Sequence, residues 1–173
     1  MSRIARFFGA LRAGISGARI GRGTRVSPLA EISVWPGGSI EIGERCVILK
    51  GAILSTYPNG SIRIGDDCSV NPYSIIYGHG GVTIGNSVRI AAHTVIVSAN
   101  HVFDDPQAPI RTQGYSAQGI TIGDDVWIGA GVRILDGVTI CSGCIIAAGA
   151  VLTQPALKRG VYGGVPAKLL KER

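Results

Sequence analysis

Several things are scarce in this 173-residue chain, and each scarcity excludes something. Aromatic residues make up only 6%, too few for a broad core of packed rings; the interior falls to Ile, Val, Ala and Thr. No apolar run approaches the roughly 20 residues of a membrane-spanning helix. Acidic residues are missing from the first 25 positions, where Arg3, Arg6, Arg12, Arg19, Arg22 and Arg25 stand, and the remaining chain balances eleven basic against eleven acidic residues. The net charge of +6 therefore describes the start of the chain and not its body, and no nucleic-acid partner is expected. Arg12 interrupts any apolar stretch a secretion signal would need, so the expected location is cytoplasmic.

Glycine is plentiful, with 26 residues and no collagen period, as a chain rich in tight corners requires. A branched aliphatic residue recurs every sixth position in Ile122, Ile128, Ile134, Ile140, Ile146 and Leu152. Helices repeat near 3.6 residues and strands near 2, so neither alone gives a period of six. A solenoid of short strands joined by corners does. The phrase Ile-Gly opens further series at Ile20, Ile42, Ile64 and Ile84, each leading to aliphatic residues six and twelve places on. Three hexads make one coil of about eighteen residues. Short glycine- and proline-rich inserts separate the first four coils, and a long excursion over residues 98–119 precedes the uninterrupted run.

Cys46, Cys68 and Cys144 each fall four places after a ladder Ile, where other coils carry Val88 and Val126. That slot takes small apolar side chains, and a free cysteine behaves as one, so Cys141-Ser142-Gly143-Cys144 is read as packing and not as a zinc or redox motif. Residues 1–19 read as a short amphipathic helix, with Ile4, Phe7, Phe8, Leu11 and Ile15 on one stripe. It would cap the first coil, and its arginines could also touch an anionic membrane surface. The solenoid is expected over residues 20–160 and a basic tail over 161–173. His93 reads as surface, His79 as a corner residue able to reach a ligand, and His101 as the opening of an ordered, functional loop.

These residues together resemble the hexapeptide-repeat acyltransferases, particularly the sugar O-acetyltransferases related to the maltose, galactoside and nodulation-factor enzymes. The resemblance covers roughly residues 20–170. It rests on Ser98-Ala99-Asn100-His101, the loop to Ile120, Gly123-Asp124-Asp125-Val126-Trp127-Ile128-Gly129, Ile146-Ala147-Ala148-Gly149-Ala150-Val151 and Gly164-Val165-Pro166-Ala167-Lys168. It implies an all-β fold, a left-handed parallel β-helix with a protruding loop, assembled as a homotrimer with active sites between subunits. It further implies acetyl-CoA as co-substrate, no metal, and a carbohydrate hydroxyl as acceptor. His101 becomes the general base; imidazole is the side chain whose ordinary pKa lies nearest neutrality. Trp127, Ala130, Ala148, Thr153, Lys168 and Lys171 match cofactor-lining positions. Asn71, Tyr73, His79 and Asn100 match acceptor-side positions, although Tyr73 stands where the galactoside and maltose enzymes carry asparagine. Cys141 replaces the ladder glycine and Gln154 a frequent lysine. The competing expectations are a nucleotide-sugar N-acetyltransferase, a non-catalytic solenoid scaffold, and a γ-type carbonic anhydrase, whose histidine spacing differs from His79, His93 and His101.

Overall fold

The computed structural model describes residues 17–173. They form a parallel β-solenoid of six coils with three flat faces, the architecture of a left-handed β-helix. Face one stacks Ala18–Ile20, Ser39–Ile42, Ser61–Ile64, Val82–Ile84, Ile120–Ile122 and Thr139–Ile140. Face two stacks Arg25–Val26, Val47–Ile48, Ser69–Val70, Arg89–Ile90, Trp127–Ile128 and Ile145–Ile146. Face three stacks Glu31–Ser33, Ile53–Ser55, Ile75–Tyr77, Val95–Val97, Arg133–Ile134 and Val151–Leu152. All pairing between coils is parallel and in register, so Ile42 lies over Ile64 and Ile128 over Ile146. The six-residue period thus becomes three inward columns, one per face. Ile64, Ile90, Ile96, Ile128 and Ile134 are each at most 2% exposed. Full burial of such a side chain contributes about 1.5–3 kcal/mol.

The corner after face one shows why Gly follows the ladder Ile. Two places after that Ile, an oxygen-bearing side chain caps the coil before it. The backbone N–H of Glu44 donates to Asp66 (2.8 Å), that of Asp66 to Asn86 (2.8 Å), that of Asn86 to Asp124 (2.6 Å), and that of Asp124 to Ser142 (2.9 Å). A Cβ on Gly65 would lie 2.6 Å from the capping oxygen of Asn86, and one on Gly123 would lie 2.5 Å from that of Ser142. The ladder ends at Ser142, where the next turn offers Lys158 in place of an acceptor, and there Cys141 takes the glycine's place. The small slot four residues after the ladder Ile holds Cys46, Cys68, Val88, Val126 and Cys144, all buried. Burial pushes the Cys144 thiol up to about 11, so it stays protonated at neutral pH, as a packing cysteine should.

Two boundaries differ from expectation. Ala18 and Arg19, expected at the end of a helix, belong to the first strand of face one, because Ala18 pairs with Ile40 and Arg19 with Glu41. Gly17, also within the expected helix, is a turn residue with φ +91°, and residues 1–16 lie outside the described residues. The basic tail is a hairpin: Gly160–Gly164 adds in parallel to Ile145–Ile146, and Ala167–Glu172 folds back on it antiparallel. Strand pairing satisfies backbone groups that a free tail would leave to water. Among the described residues no helix is long and apolar enough to cross a membrane.

Replacing Gly85 with Ala would place a Cβ 2.9 Å from the backbone nitrogen of Asp124 and against its capping carboxylate. It should lower unfolding stability by about 1–3 kcal/mol in urea titration. Thr83→Ala, on the exposed side of the strand just before Gly85, should stay within about 0.5 kcal/mol.

Candidate active site

The corners after faces one and two are short in every coil, and every insert falls on the third. The longest is the excursion over residues 98–119. It leaves the coil through buried Ser98, whose Oγ donates to the Tyr77 carbonyl at 2.9 Å. Asn100–His101 then pairs antiparallel with Tyr115–Ser116. Gln113 holds the loop tip, accepting from the Asp105 N–H (3.0 Å) and donating to the Asp105 and Ala108 carbonyls (2.9 Å each). The backbone N–H groups of Gln118 and Gly119 close the return on the Asp136 carboxylate. The loop is therefore an ordered structure, yet Phe103, Ile110 and Tyr115 remain exposed on it.

His101 is exposed at the foot of this loop with its ring 4.4 Å from that of Tyr115. It is shared by two clefts. One, of about 450 Å³, runs along the loop past Asn100, Val102, Phe103, Asp104 and Ser116. The other, of about 460 Å³, climbs the third corner along Trp35, Tyr57, Tyr77 and His79, with Glu31, Ser33 and Ser55 beside them. His79 stacks on Tyr57 at 3.7 Å, and Tyr57 on Trp35 at 5.6 Å. Desolvation lowers the His79 pKa from its ordinary value, so this ring is neutral at physiological pH. Its Nδ1 is shut off from solvent and has no hydrogen-bond partner among the described residues. Sequence reasoning does not point to Trp35, Tyr57 or Tyr115 as site residues. The available signal was the 22-residue recurrence of Trp35, Tyr57 and His79, which matches the coil spacing.

The other expected site residues lie elsewhere on the chain. Asn71 and Tyr73 occupy the second corner, one face away from His101. The Asn71 side chain donates to the Ile90 carbonyl at 2.7 Å and so supports the corner. Tyr73 and His93 stack at 5.5 Å as an outward ledge. Below that ledge the same column becomes Gly131 and Gly149, where an added Cβ would meet nothing within 4 Å. Ala130 and Ala148 flank this bare strip, with the Gly149 N–H donating to the Ala130 carbonyl at 2.8 Å. Trp127 is 56% exposed on face two, with Ile145–Ile146 between it and the hairpin that carries Lys168 and Lys171. Both lysines are exposed and, among the described residues, form no salt bridge. Thr153 is exposed just past face three. A single chain thus brings together His79, Asn100 and His101 at the third corner. It holds Ala130 and Ala148 at the second, with Trp127 and the lysines nearby on face two.

Short strands in six-residue repeats, coiled into three faces, define a hexapeptide-repeat solenoid. The model for the bacterial transferase hexapeptide family (six repeats) matches residues 119–154. An Escherichia coli K12 protein named as a lipopolysaccharide-biosynthesis O-acetyltransferase, WbbJ, is 31% identical over 142 residues, covering 78% of this chain and 72% of that one. A Dictyostelium discoideum protein named as an acetyltransferase is 46% identical over 92 residues, 53% of this chain and 47% of its own length. Against some curated relatives the chain spans only a third to a half of their length. Among solved structures, AntD, an N-acyltransferase from Bacillus cereus holding dTDP-4-amino-4,6-dideoxyglucose and coenzyme A, superposes with a TM-score of 0.78. It is 25% identical, and the match covers 90% of this chain and 83% of AntD. The chain belongs to the hexapeptide-repeat acyltransferase family.

The lowered pKa of His79 carries a sign. Above about pH 6.5 the ring is neutral both folded and unfolded. As pH falls below that value the unfolded chain takes the proton first, and stability is lost as pH falls through the folded pKa. His79→Phe keeps a ring for the stack and removes the titration. Its loss of thermal stability between pH 7.5 and pH 5 should be smaller than that of wild type.

Proposed function

We propose that this protein is an acetyl-CoA-dependent O-acetyltransferase acting on a sugar hydroxyl, with His101 as general base and direct transfer between two bound substrates. The observation that carries this reading is the position of His101 at the meeting point of two clefts. A base that serves a direct transfer must reach both the attacking oxygen and the departing sulfur.

Acetyl-CoA supplies an activated acetyl group as a thioester. A sugar hydroxyl is a poor nucleophile at neutral pH until its proton is removed during attack. His101 takes that proton as the new C–O bond forms and returns it to the CoA sulfur as the C–S bond breaks. No proton is left over and no acyl group rests on the protein. Tyr115, packed against the imidazole, holds its orientation.

The chain's residues fit CoA in two ways. The strip at Ala130, Gly131, Ala148 and Gly149 lets an extended pantetheine arm approach the backbone closely, and Lys168 and Lys171 give its phosphates cationic partners. Trp127 stands beside this strip and Thr153 beyond face three. Because this strip and His101 lie at different corners of one chain, the reading includes a homotrimer in which the loop of one subunit reaches the second corner of the next. Exposed Phe103 and Ile110 are then buried against the neighbour, and Asn71 and Tyr73 reach the acceptor from the partner. The setting is cytoplasmic polysaccharide biosynthesis, with the basic segment before Ala18 as a contact to the membrane's inner face. The likeness to AntD favours a second reading, N-acylation of a nucleotide-linked amino sugar, for which the same base would serve.

His101→Ala should lower acceptor-dependent CoA release by about 10²–10⁴-fold while acetyl-CoA binding, measured by calorimetry, is kept; full activity in the variant would remove the assignment. Lys168→Ala combined with Lys171→Ala should weaken acetyl-CoA binding, more at low salt than at high, and leave the acceptor KM unchanged.

A further inference from the structure

The third corner carries a feature that acetyl transfer to a single sugar does not need. Trp35, Tyr57 and His79 occupy the same position in three successive coils, and their rings form one continuous stack with interplanar angles of 12° and 21°. The column runs straight up the solenoid from the loop that carries His101. At about 4.8 Å per coil, Trp35 lies three coil spacings, roughly 14 Å, from the catalytic level. One sugar ring at His101 cannot reach it. Trp35 and Tyr57 are 49% and 41% exposed in the single chain and line one cleft with His101.

The polar groups of this cleft are hydroxyls, two imidazoles and a single carboxylate. Ser33, Ser55 and Tyr77 offer neutral hydroxyls, and Glu31 a carboxylate that already accepts from the Ser33 hydroxyl at 3.0 Å. Among the described residues the lining contains no lysine and no arginine. Burial keeps His79 uncharged. A nucleotide diphosphate needs cations or a nest of N–H groups to replace its hydration; here it would meet Glu31 instead. An uncharged glycan needs an apolar wall for its C–H faces and neutral donors and acceptors for its hydroxyls, and the cleft supplies both.

We infer that the Trp35–Tyr57–His79 column is an acceptor track, and that the acceptor is an uncharged oligosaccharide chain lying along the solenoid, acetylated where it passes His101. This rests on the transferase reading for the chemistry, but the track itself is a binding claim. It assigns this corner to a neutral glycan and not to a sugar nucleotide.

The test is direct binding by saturation-transfer NMR with the full chain and CoA present. The probes are neutral gluco-, galacto- and manno-oligosaccharides from mono- to hexasaccharide, with UDP- and dTDP-sugars beside them. Affinity in at least one neutral series should rise with length as the chain reaches Trp35. Trp35→Ala should remove that gain, roughly tenfold, while leaving monosaccharide and acetyl-CoA binding unchanged; Trp35→Phe should restore most of it. Tighter binding of the nucleotide sugars, length-independent affinity, an equal loss for all sugars in Trp35→Ala, or no neutral glycan bound would each overturn the track. Length-dependent binding with no acetyl transfer to the bound glycan once acetyl-CoA replaces CoA would uphold the track and overturn the transferase reading.

Discussion

Registered hydrogen bonding between coils is the constraint on which everything else depends. Backbone N–H groups of one coil donate to carbonyls of the next, as where Gly43 donates to Ile64 and Gly65 to Ile84, both at 2.8 Å. Once the coils are locked in this way, equivalent residues must stand on one another. A side chain is then judged by its column before its neighbours in sequence. Branched aliphatics fill the inward columns because the interior is narrow and each fits the next. Glycine follows the ladder Ile because the coil below passes too close for a Cβ. Acceptors recur at the first corner because each caps the coil before it.

The same locking explains where function resides. A position that repeats faithfully is engaged in holding coils together, so chemistry gathers where the repeat is broken. At the third corner the break is the loop that sets His101 between two clefts. At the second it is the change from Tyr73 and His93 to the bare backbone of Gly131 and Gly149. The two breaks lie at different corners of one chain, which supports the reading that a working site is assembled from more than one copy.

Much of this was legible in the sequence. The hexad period gives the three inward columns directly, and the packing role of Cys144 follows from its register. Residue 101 announced itself by opening the one long interruption. What the sequence left obscure depends on spatial columns that cross the inserts. Trp35, Tyr57 and His79 share a column only because the first inserts are equal in length, and each looks like an ordinary turn residue when read alone. Asn71 illustrates the converse. Its match to an acceptor position is visible in sequence, while its bond to the Ile90 carbonyl appears only in three dimensions. The hairpin of residues 160–172 was read as a tail because its strands follow no hexad period.

The unequal corners have a consequence for how such a protein can change. Two edges of the prism keep one length through all six coils, and the faces they join stay in register throughout. The third edge already accepts Pro36-Gly37-Gly38, Pro58-Asn59-Gly60 and a long loop without disturbing the faces. Lengthening a loop costs only a slowly growing closure entropy. One edge of the molecule is thus open to revision while the other two preserve its gauge. New recognition can be written there, one insertion at a time, on a frame that does not have to fold anew.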